Sequence, residues 1–268
     1  LREKNFIRPA AFPYTTPSGV TYDVGDFAAV LARAGARAGR DGFEVRRAEA
    51  AARGKLRGQG LCYYIESILG DPSETSRVVF EEEGRVSLYV GTQSNGQGHE
   101  TVFAQYLADQ TGIPAGVISV IQGDSDAIPQ GGGTGGSRSA TVQSVATLKT
   151  VETIVAKFTP FLAEKMGVEE AAVRFDHETF RAEGSNLTPT LLEAAEMARA
   201  DGREDLLDTS ERITLDNRSF PNGAHVAEVE IDPDTGVVTV VGYEVVDDFG
   251  NLLNPMLVAG QVHGGVAQ

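Results

Sequence analysis

The stretch that most constrains the chain is a junction. Gly131-Gly132-Gly133-Thr134-Gly135-Gly136 runs through Ser137-Arg138-Ser139 into a long apolar stripe at Val142, Val145, Leu148, Val151, Ile154, Val155, Phe158 and Leu162. That spacing is helical and predicts one long amphipathic helix over Ser139–Lys165. A loop this rich in glycine, followed by hydroxyls and a guanidinium at a helix start, has the elements of an anion site: backbone N–H groups, two hydroxyls and one fork of donors. It lacks the Gly-Lys-Ser/Thr ending of a P-loop, and it does not show the Gly-x-Gly-x-x-Gly dinucleotide fingerprint in its required strand–turn–helix setting. A plain surface loop remains the competing reading. The net charge of −15 makes an arginine placed here more notable. The same charge argues against a nucleic-acid partner, which would call for clustered positive charge.

The rest of the chain alternates helical and extended patterns. Asp26 is placed to cap a helix over Phe27–Arg37, and a second charged, Ala-rich helix is expected over Gly42–Lys55. Leu61–Leu69, Ser76–Glu83, Val86–Gly91 and Val117–Gln122 read as strands, and His99–Gln110 as a helix stopped by Gly112 and Pro114. Further on, Val173–Phe180 reads as a strand pair or a turn and Thr190–Ala200 as a helix with Thr188 as its expected cap. Residues 201–216 are acidic and are expected to be loop. Two strands, Ala224–Asp232 and Val237–Val246, flank the turn Pro233-Asp234-Thr235-Gly236, and Asn254-Pro255 opens a final helix running to Gln268. The mixture predicts an α+β fold of two two-layer units, mixed sheets packed with helices, after a helical lead-in. The expected divisions are a lead-in over 1–57 with little core of its own, a first unit over 58–176 and a second over 177–268. With no initiator Met, the chain is expected to be cut from a longer one.

Two more stretches carry chemistry. Gly91-Thr92-Gln93-Ser94-Asn95-Gly96-Gln97-Gly98-His99-Glu100-Thr101 reads as strand, glycine-bracketed turn, then helix start. Such a turn presents free N–H groups, and Gln97 between two glycines offers a carboxamide that donates and accepts. Glu100 suits the positive end of the helix dipole. Gly260-Gln261-Val262-His263-Gly264-Gly265 pairs a second carboxamide with small residues that permit close approach, and His263 by itself reads as solvent-facing or as a satisfied core histidine. The four histidines show no His-Glu-x-x-His spacing, and neither Ser137 nor Ser139 lies in Gly-x-Ser-x-Gly. Cys62, the one cysteine, excludes an internal disulfide and a Cys-only metal site, and its place in an extended run reads as a small core residue.

Taken together, these stretches resemble the large, molybdopterin-binding subunit of the molybdenum hydroxylases, the family of xanthine dehydrogenase, aldehyde oxidase and aerobic carbon monoxide dehydrogenase. The likeness runs from Lys4-Asn5-Phe6-Ile7 and Phe12-Pro13-Tyr14-Thr15-Thr16, through Gly96–Thr101 and Gly131–Ser139, to Phe220-Pro221-Asn222-Gly223, Val246-Asp247-Asp248-Phe249-Gly250 and Gly260–Gln268. Its wording is similar to the bacterial carbon monoxide dehydrogenase-like branch, and it corresponds to the C-terminal cofactor-binding half. The resemblance implies a molybdenum–molybdopterin cytosine dinucleotide cofactor. It places Gln97, with Gly98 and His99, at the pterin or phosphate region. It assigns Ser137, Arg138 and Ser139, with Gly135 and Gly136, to the pyrophosphate and nucleotide, and Gln261 to the pterin from the other side. It further implies a cytoplasmic oxidoreductase acting on a small molecule, with no transmembrane segment and with iron–sulfur and FAD partner subunits. The family's general-base glutamate would lie beyond Gln268, and its substrate loop, with the copper-binding cysteine of true carbon monoxide dehydrogenases, before Leu1. Cys62 does not match that cysteine, so no catalytic residue and no metal ligand is expected within the chain, and the piece alone is expected to be inactive. A non-catalytic module of the same fold, or an unrelated nucleotide- or anion-binding domain, would share the same glycine loops.

Overall fold

The computed structural model describes residues 1–68 and 70–268. In chain order its elements are α1 (Arg2–Asn5), β1 (Tyr14–Thr15), β2 (Thr21–Tyr22), α2 (Phe27–Arg37), α3 (Phe43–Ala52), β3 (Leu56–Ile65), β4 (Ser73–Phe80), β5 (Val86–Val90), α4 (His99–Thr111), β6 (Ile118–Ile121), α5 (Ser139–Met166), β7 (Arg174–Phe175), β8 (Phe180–Arg181), α6 (Leu191–Ala200), β9 (Asp208–Thr214), β10 (Asn222–Ile231), β11 (Val238–Asp248) and α7 (Pro255–Ala267). The fold is α+β, as the alternation of patterns implied. The expected strand Leu61–Leu69 begins earlier and ends at Ile65, while Leu69 lies outside the described residues.

The division of the chain differs from the contiguous one expected. One unit comprises Leu1–Ile68 and Arg218–Asn251, the other Leu69–Asn217 and Leu252–Gln268. The lead-in is therefore part of a unit with its own core. There, β10 is the middle strand of an antiparallel sheet ordered β11-β10-β3. Val30, Leu31 and Ala34 of α2 pack on Ala224 and Val226 of β10. Asp26 caps α2 as expected, accepting from the Ala29 N–H at 3.1 Å. Arg46 of α3 and Arg57 of β3 converge on Glu228 at 2.7 and 2.6 Å, so the helix side of the sheet ends in a carboxylate held by two guanidinium groups. Because Leu61 and Tyr63 point to that side, strand alternation turns Cys62 to the other. Cys62 is exposed, not a core residue as its extended run suggested.

The second unit is a four-stranded sheet ordered β6-β5-β4-β9, with β5–β6 parallel and the other pairs antiparallel. The apolar stripe of α5 buries Val151, Ile154, Phe158 and Leu162 against Val78 and Phe80 of β4, Leu88 of β5, Phe103 and Leu107 of α4, and Leu191 and Ala194 of α6. Two expectations are corrected here. Residues 201–216 are not all loop: β9 pairs along β4, with Thr209 turned inward and the charged Asp208 and Arg212 outward, an alternation an edge strand tolerates. The cap of α6 is Thr190, not Thr188. Its hydroxyl accepts from the Glu193 N–H at 3.2 Å while the Glu193 carboxylate accepts from the Thr190 N–H at 2.8 Å, a capping box. Among the described residues no helix is long and apolar enough to cross a membrane.

Candidate functional site

The three glycine-rich stretches all fall in the second unit; hydrogen bonds tie the first two together, and α7, which carries the third, packs on the first through Leu257. The centre is the turn between β5 and α4. β5 must stop at Val90 because Gly91 lies against Gly131: a Cβ on Gly91 would sit 2.7 Å from Gly131 Cα, and one on Gly131 would sit 2.4 Å from the Gly91 carbonyl oxygen. Two chain segments pass here at a distance only glycine allows. Gly91 N–H donates to the Gln143 Oε1 of α5 at 3.1 Å, and Gly133 N–H donates to the Gly91 carbonyl at 3.2 Å. Gln143 is fully buried and also donates to the Thr75 carbonyl of β4 at 3.4 Å. The end of β5 is thus fixed to both the long helix and the neighbouring strand.

Beyond Gly91 the turn is joined to the glycine loop by Thr134. Its hydroxyl accepts from the Gln93 N–H at 3.1 Å and donates to the Gln93 carbonyl at 2.6 Å, and Ser139 Oγ donates to it at 3.3 Å. Ser94 N–H is held by Gln122 Oε1 at 2.8 Å. The Gln97 carboxamide oxygen accepts from the Asn95 N–H, which leaves the amino end of that side chain to donate. Gly98 takes a left-handed φ of 78° as it enters α4, and a Cβ there would lie 2.9 Å from Leu257 Cδ2. Leu257 is in the first turn of α7, whose cap Asn254 donates to Gln105 Oε1 of α4 at 3.0 Å. Gln261 follows Leu257 by four residues, so it lies on the same helix face about 6 Å further along, exposed. His263, two residues on, is exposed as well.

Arg138 is the main departure from the sequence reading. It was expected to meet an anion, yet only 1% of it is exposed. Its guanidinium pairs with Glu74 of β4 at 2.8 Å and donates to the carbonyls of Asp71, Ser73 and Gly133 at 2.7, 2.7 and 2.6 Å. A fork of five N–H groups with four committed inward cannot also grip a phosphate. Glu74 Oε2 accepts from the Gly132 N–H at 3.2 Å, so acid and base together hold the loop from inside. The loop is stitched to β4, to the end of β5 and to α5. Ser137, at the exposed end, takes a left-handed φ of 60°, a conformation that costs about 1 kcal/mol or more for a residue with a Cβ. The open side of the helix start is formed by Ser139, Ala140 and Thr141, whose N–H groups precede the first backbone bond of the helix, Val142 N–H to Arg138 carbonyl at 2.9 Å.

Two buried polar atoms in the turn have no hydrogen-bond partner among the described residues: Thr92 Oγ1 and His99 Nδ1. His99 is 4% exposed, and burial lowers its pKa, opposed by the charge of Glu100 and a hydrogen bond with Gln122, so the ring is neutral near pH 7. Orphaned groups of this kind are uncommon and ask for an explanation. They lie at the two ends of the glycine-bracketed turn. Sequence reasoning passed over Thr92, Thr134 and Glu74. Thr134 sat unremarked inside a run of glycines, and only its two-way link to Gln93 shows its part.

The molybdopterin cofactor-binding domain model matches residues 33–268. The whole chain is 33% identical over 291 aligned residues to the carbon monoxide dehydrogenase large chain of Afipia carboxidovorans, spanning 36% of that protein. It is 31% identical over 290 residues to the nicotine 6-hydroxylase large subunit of Paenarthrobacter nicotinovorans, spanning 35% of it. Among solved structures, reconstituted CO dehydrogenase from Oligotropha carboxidovorans superposes with a TM-score of 0.89 at 33% identity, over 98% of this chain and 35% of that one. Quinoline 2-oxidoreductase from Pseudomonas putida 86 gives 0.89 at 26% identity, over 100% of this chain and 36% of that one. The chain thus spans about a third of the length of the relatives it matches.

Proposed function

The chain belongs to the molybdopterin cofactor-binding domain family of the molybdenum hydroxylase large subunits, and from that premise we propose that the turn 91–99, the loop 131–139 and Gln261 form one wall of the cofactor cradle. The observation that carries this is the pair of orphaned buried atoms, Thr92 Oγ1 and His99 Nδ1, in a turn that the glycine loop and α7 both abut. Neutral donors and acceptors suit the edges of a pterin, which carries amide-like groups, and backbone N–H groups suit phosphate oxygens.

In this reading the amino end of Gln97 and the carboxamide of Gln261 hydrogen-bond the pterin, while Gly98 lets the backbone come close. His99 accepts at Nδ1 as a neutral ring. The N–H groups of Ser139, Ala140 and Thr141 and the hydroxyls of Ser137 and Ser139 meet the pyrophosphate, with Gly135 and Gly136 giving it access. Arg138 supports this wall from behind and makes no contact with the ligand. The nucleotide form is proposed to be the cytosine dinucleotide and the setting bacterial and cytoplasmic. Iron–sulfur and FAD subunits would receive the electrons. When bound, the molybdenum pterin supplies the redox and oxygen-transfer chemistry by which such enzymes hydroxylate or oxidise small molecules. Residues 1–268 alone are expected to be inactive, because part of a cradle leaves much of the binding energy unrealised.

The test is composition. The protein, produced together with its neighbouring subunits, is analysed for molybdenum and, after acid hydrolysis, for the released nucleotide. Stoichiometric molybdenum with cytidine monophosphate is expected, and Gln261→Ala or Thr92→Val should lower both without lowering the thermal midpoint. Absence of molybdenum and pterin from the wild-type protein would refute the reading.

A further inference from the structure

Apart from the bond between them, the polar groups of Glu74 and Arg138 are spent on the backbone of residues 71–75 and of the glycine loop. Arg138 reaches the carbonyls of Asp71 and Ser73 on one side and of Gly133 on the other, and Glu74 takes the Gly132 N–H and its own neighbour's, Thr75, at 2.9 Å. The pair also occupies the space where side chains would otherwise grow. A Cβ on Gly132 would lie 2.3 Å from Arg138 Nη2, and one on Gly91 would lie 2.0 Å from Glu74 Oε1. Both side chains are closed to solvent, at 1% and 0% exposure. An ion pair in such a place is an expensive way to gain stability, since well-packed apolar residues would serve as well or better. What it provides is geometry: a planar fork fixes three carbonyls and one carboxylate at set distances and angles.

We propose that the buried Glu74–Arg138 pair is a positioning device for the cofactor wall, setting the path of residues 131–134 so that the helix-start N–H groups beyond Arg138 present one fixed surface to the anionic end of the ligand. Glu74 and Arg138 are positioning residues and touch no ligand. The chain of contacts is explicit. Arg138 fixes Gly133; Gly133 N–H binds the Gly91 carbonyl; Thr134 then locks Gln93; and Ser139 follows Arg138 directly into α5. The proposal rests on the reading of this wall as a cofactor site. It adds that the spacing between the turn and the helix start is set from inside the protein rather than by the ligand.

The experiment uses the protein purified with its partner subunits, wild type against Arg138→Lys, which keeps the charge and loses the fork, and Glu74→Gln, which keeps the shape and loses the charge. Hydrogen exchange is followed at the amides of 131–134 and, as an internal reference, in α5 and β10, beside the thermal midpoint and the molybdenum and phosphorus content per chain. Expected for Arg138→Lys is exchange faster by about tenfold or more at 131–134 with the reference amides unchanged, and cofactor content falling with it. Glu74→Gln should show the same pattern more weakly. Three results would overturn the proposal. Loop protection could stay at the wild-type level in both variants. It could fall while cofactor content holds. Or loop exchange and cofactor content could follow only the global loss of fold, which makes the pair merely structural. If wild type itself carries no molybdenum or pterin, the cofactor reading fails, while the exchange data still decide whether the pair sets the loop.

Discussion

Gly131 and Gly135 stand four residues apart in one loop, and alanine at each should act in opposite directions. At Gly131 a Cβ would lie 2.4 Å from the Gly91 carbonyl oxygen and 2.7 Å from Gly91 Cα, against the ~3.5 Å or more that carbon contacts need. Both neighbours are backbone, and Gly91 is anchored by Gln143 at 3.1 Å, so about 1 Å of movement must come from the loop. Moving it strains the bond from Gly133 N–H to the Gly91 carbonyl. Overpacking of this kind costs about 1–3 kcal/mol and a weakened hydrogen bond about 1. Against this, alanine gains about 0.4–1 kcal/mol by narrowing the unfolded ensemble. The net cost is about 1–3 kcal/mol, or a thermal midpoint lower by roughly 3–10 °C for a unit of this size. At Gly135 nothing lies within 4 Å of a Cβ and φ is not left-handed, so only the gain of about 0.4–1 kcal/mol remains. Scanning calorimetry of the two variants reads the difference directly. If Gly131→Ala proves as benign as Gly135→Ala, the glycines serve flexibility alone, and the close approach of Gly91 and Gly131 is not what demands them.

Other outcomes follow from single elements. Thr190→Ala should cost about 1 kcal/mol in chemical denaturation by removing the cap of α6, whereas Thr188→Ala should change nothing measurable. Leu162→Ala, at a fully buried position on α5, should cost about 2–5 kcal/mol in the same assay. Glu228 is held at a pKa of about 2 by the Arg46 hydrogen bond first, with Arg57 and Gln59 adding and burial opposing. Its contribution is therefore complete above the ordinary carboxylate value of 4.5 and is lost as pH falls from there through about 2, and Glu228→Gln should flatten the stability–pH curve in that window. Cys62, being exposed, should react with one equivalent of a thiol reagent in the native 268-residue chain. Slow labelling that speeds up in denaturant would put it back in a core.

Local structure was largely legible in the sequence because the strongest signals are periodic and capped. The stripe from Val142 to Leu162 and the cap at Asp26 give α5 and α2 almost to the residue. The pairing of distant segments was not legible. Residues 218–251 return to the unit that begins the chain, and β9 arrives beside β4 from more than a hundred residues away. Neither event leaves a local trace, since the partner of a strand is fixed by packing and topology rather than by its own residues. Thr190 and Thr188 illustrate a finer limit. Both are good caps, and what selects Thr190 is the acid three residues on, Glu193, a spacing that was present in the sequence and was not weighed.

Arg138 shows how a chemically sensible inference can point the wrong way round. Glycines, hydroxyls and one cation before a helix suggest an anion outside the protein, but an arginine can equally serve an anion inside it. The signal that decides between these lay in β4. Val78 and Phe80 set which face of that strand is buried, and stepping back by two puts Ser76 and then Glu74 on the same inward face. A carboxylate forced inward by its own strand must be paired with a cation, because a lone buried charge costs far more than the fold can carry. Glu74 and Arg138 are each anomalous alone: an acid in the apolar phase of a strand, and a base after the most glycine-rich loop of an acidic chain. Together they cancel, each closed to solvent by the other and by the backbone around them. Which face of the loop is held inward was therefore fixed by an alternation in β4, more than fifty residues before the loop itself.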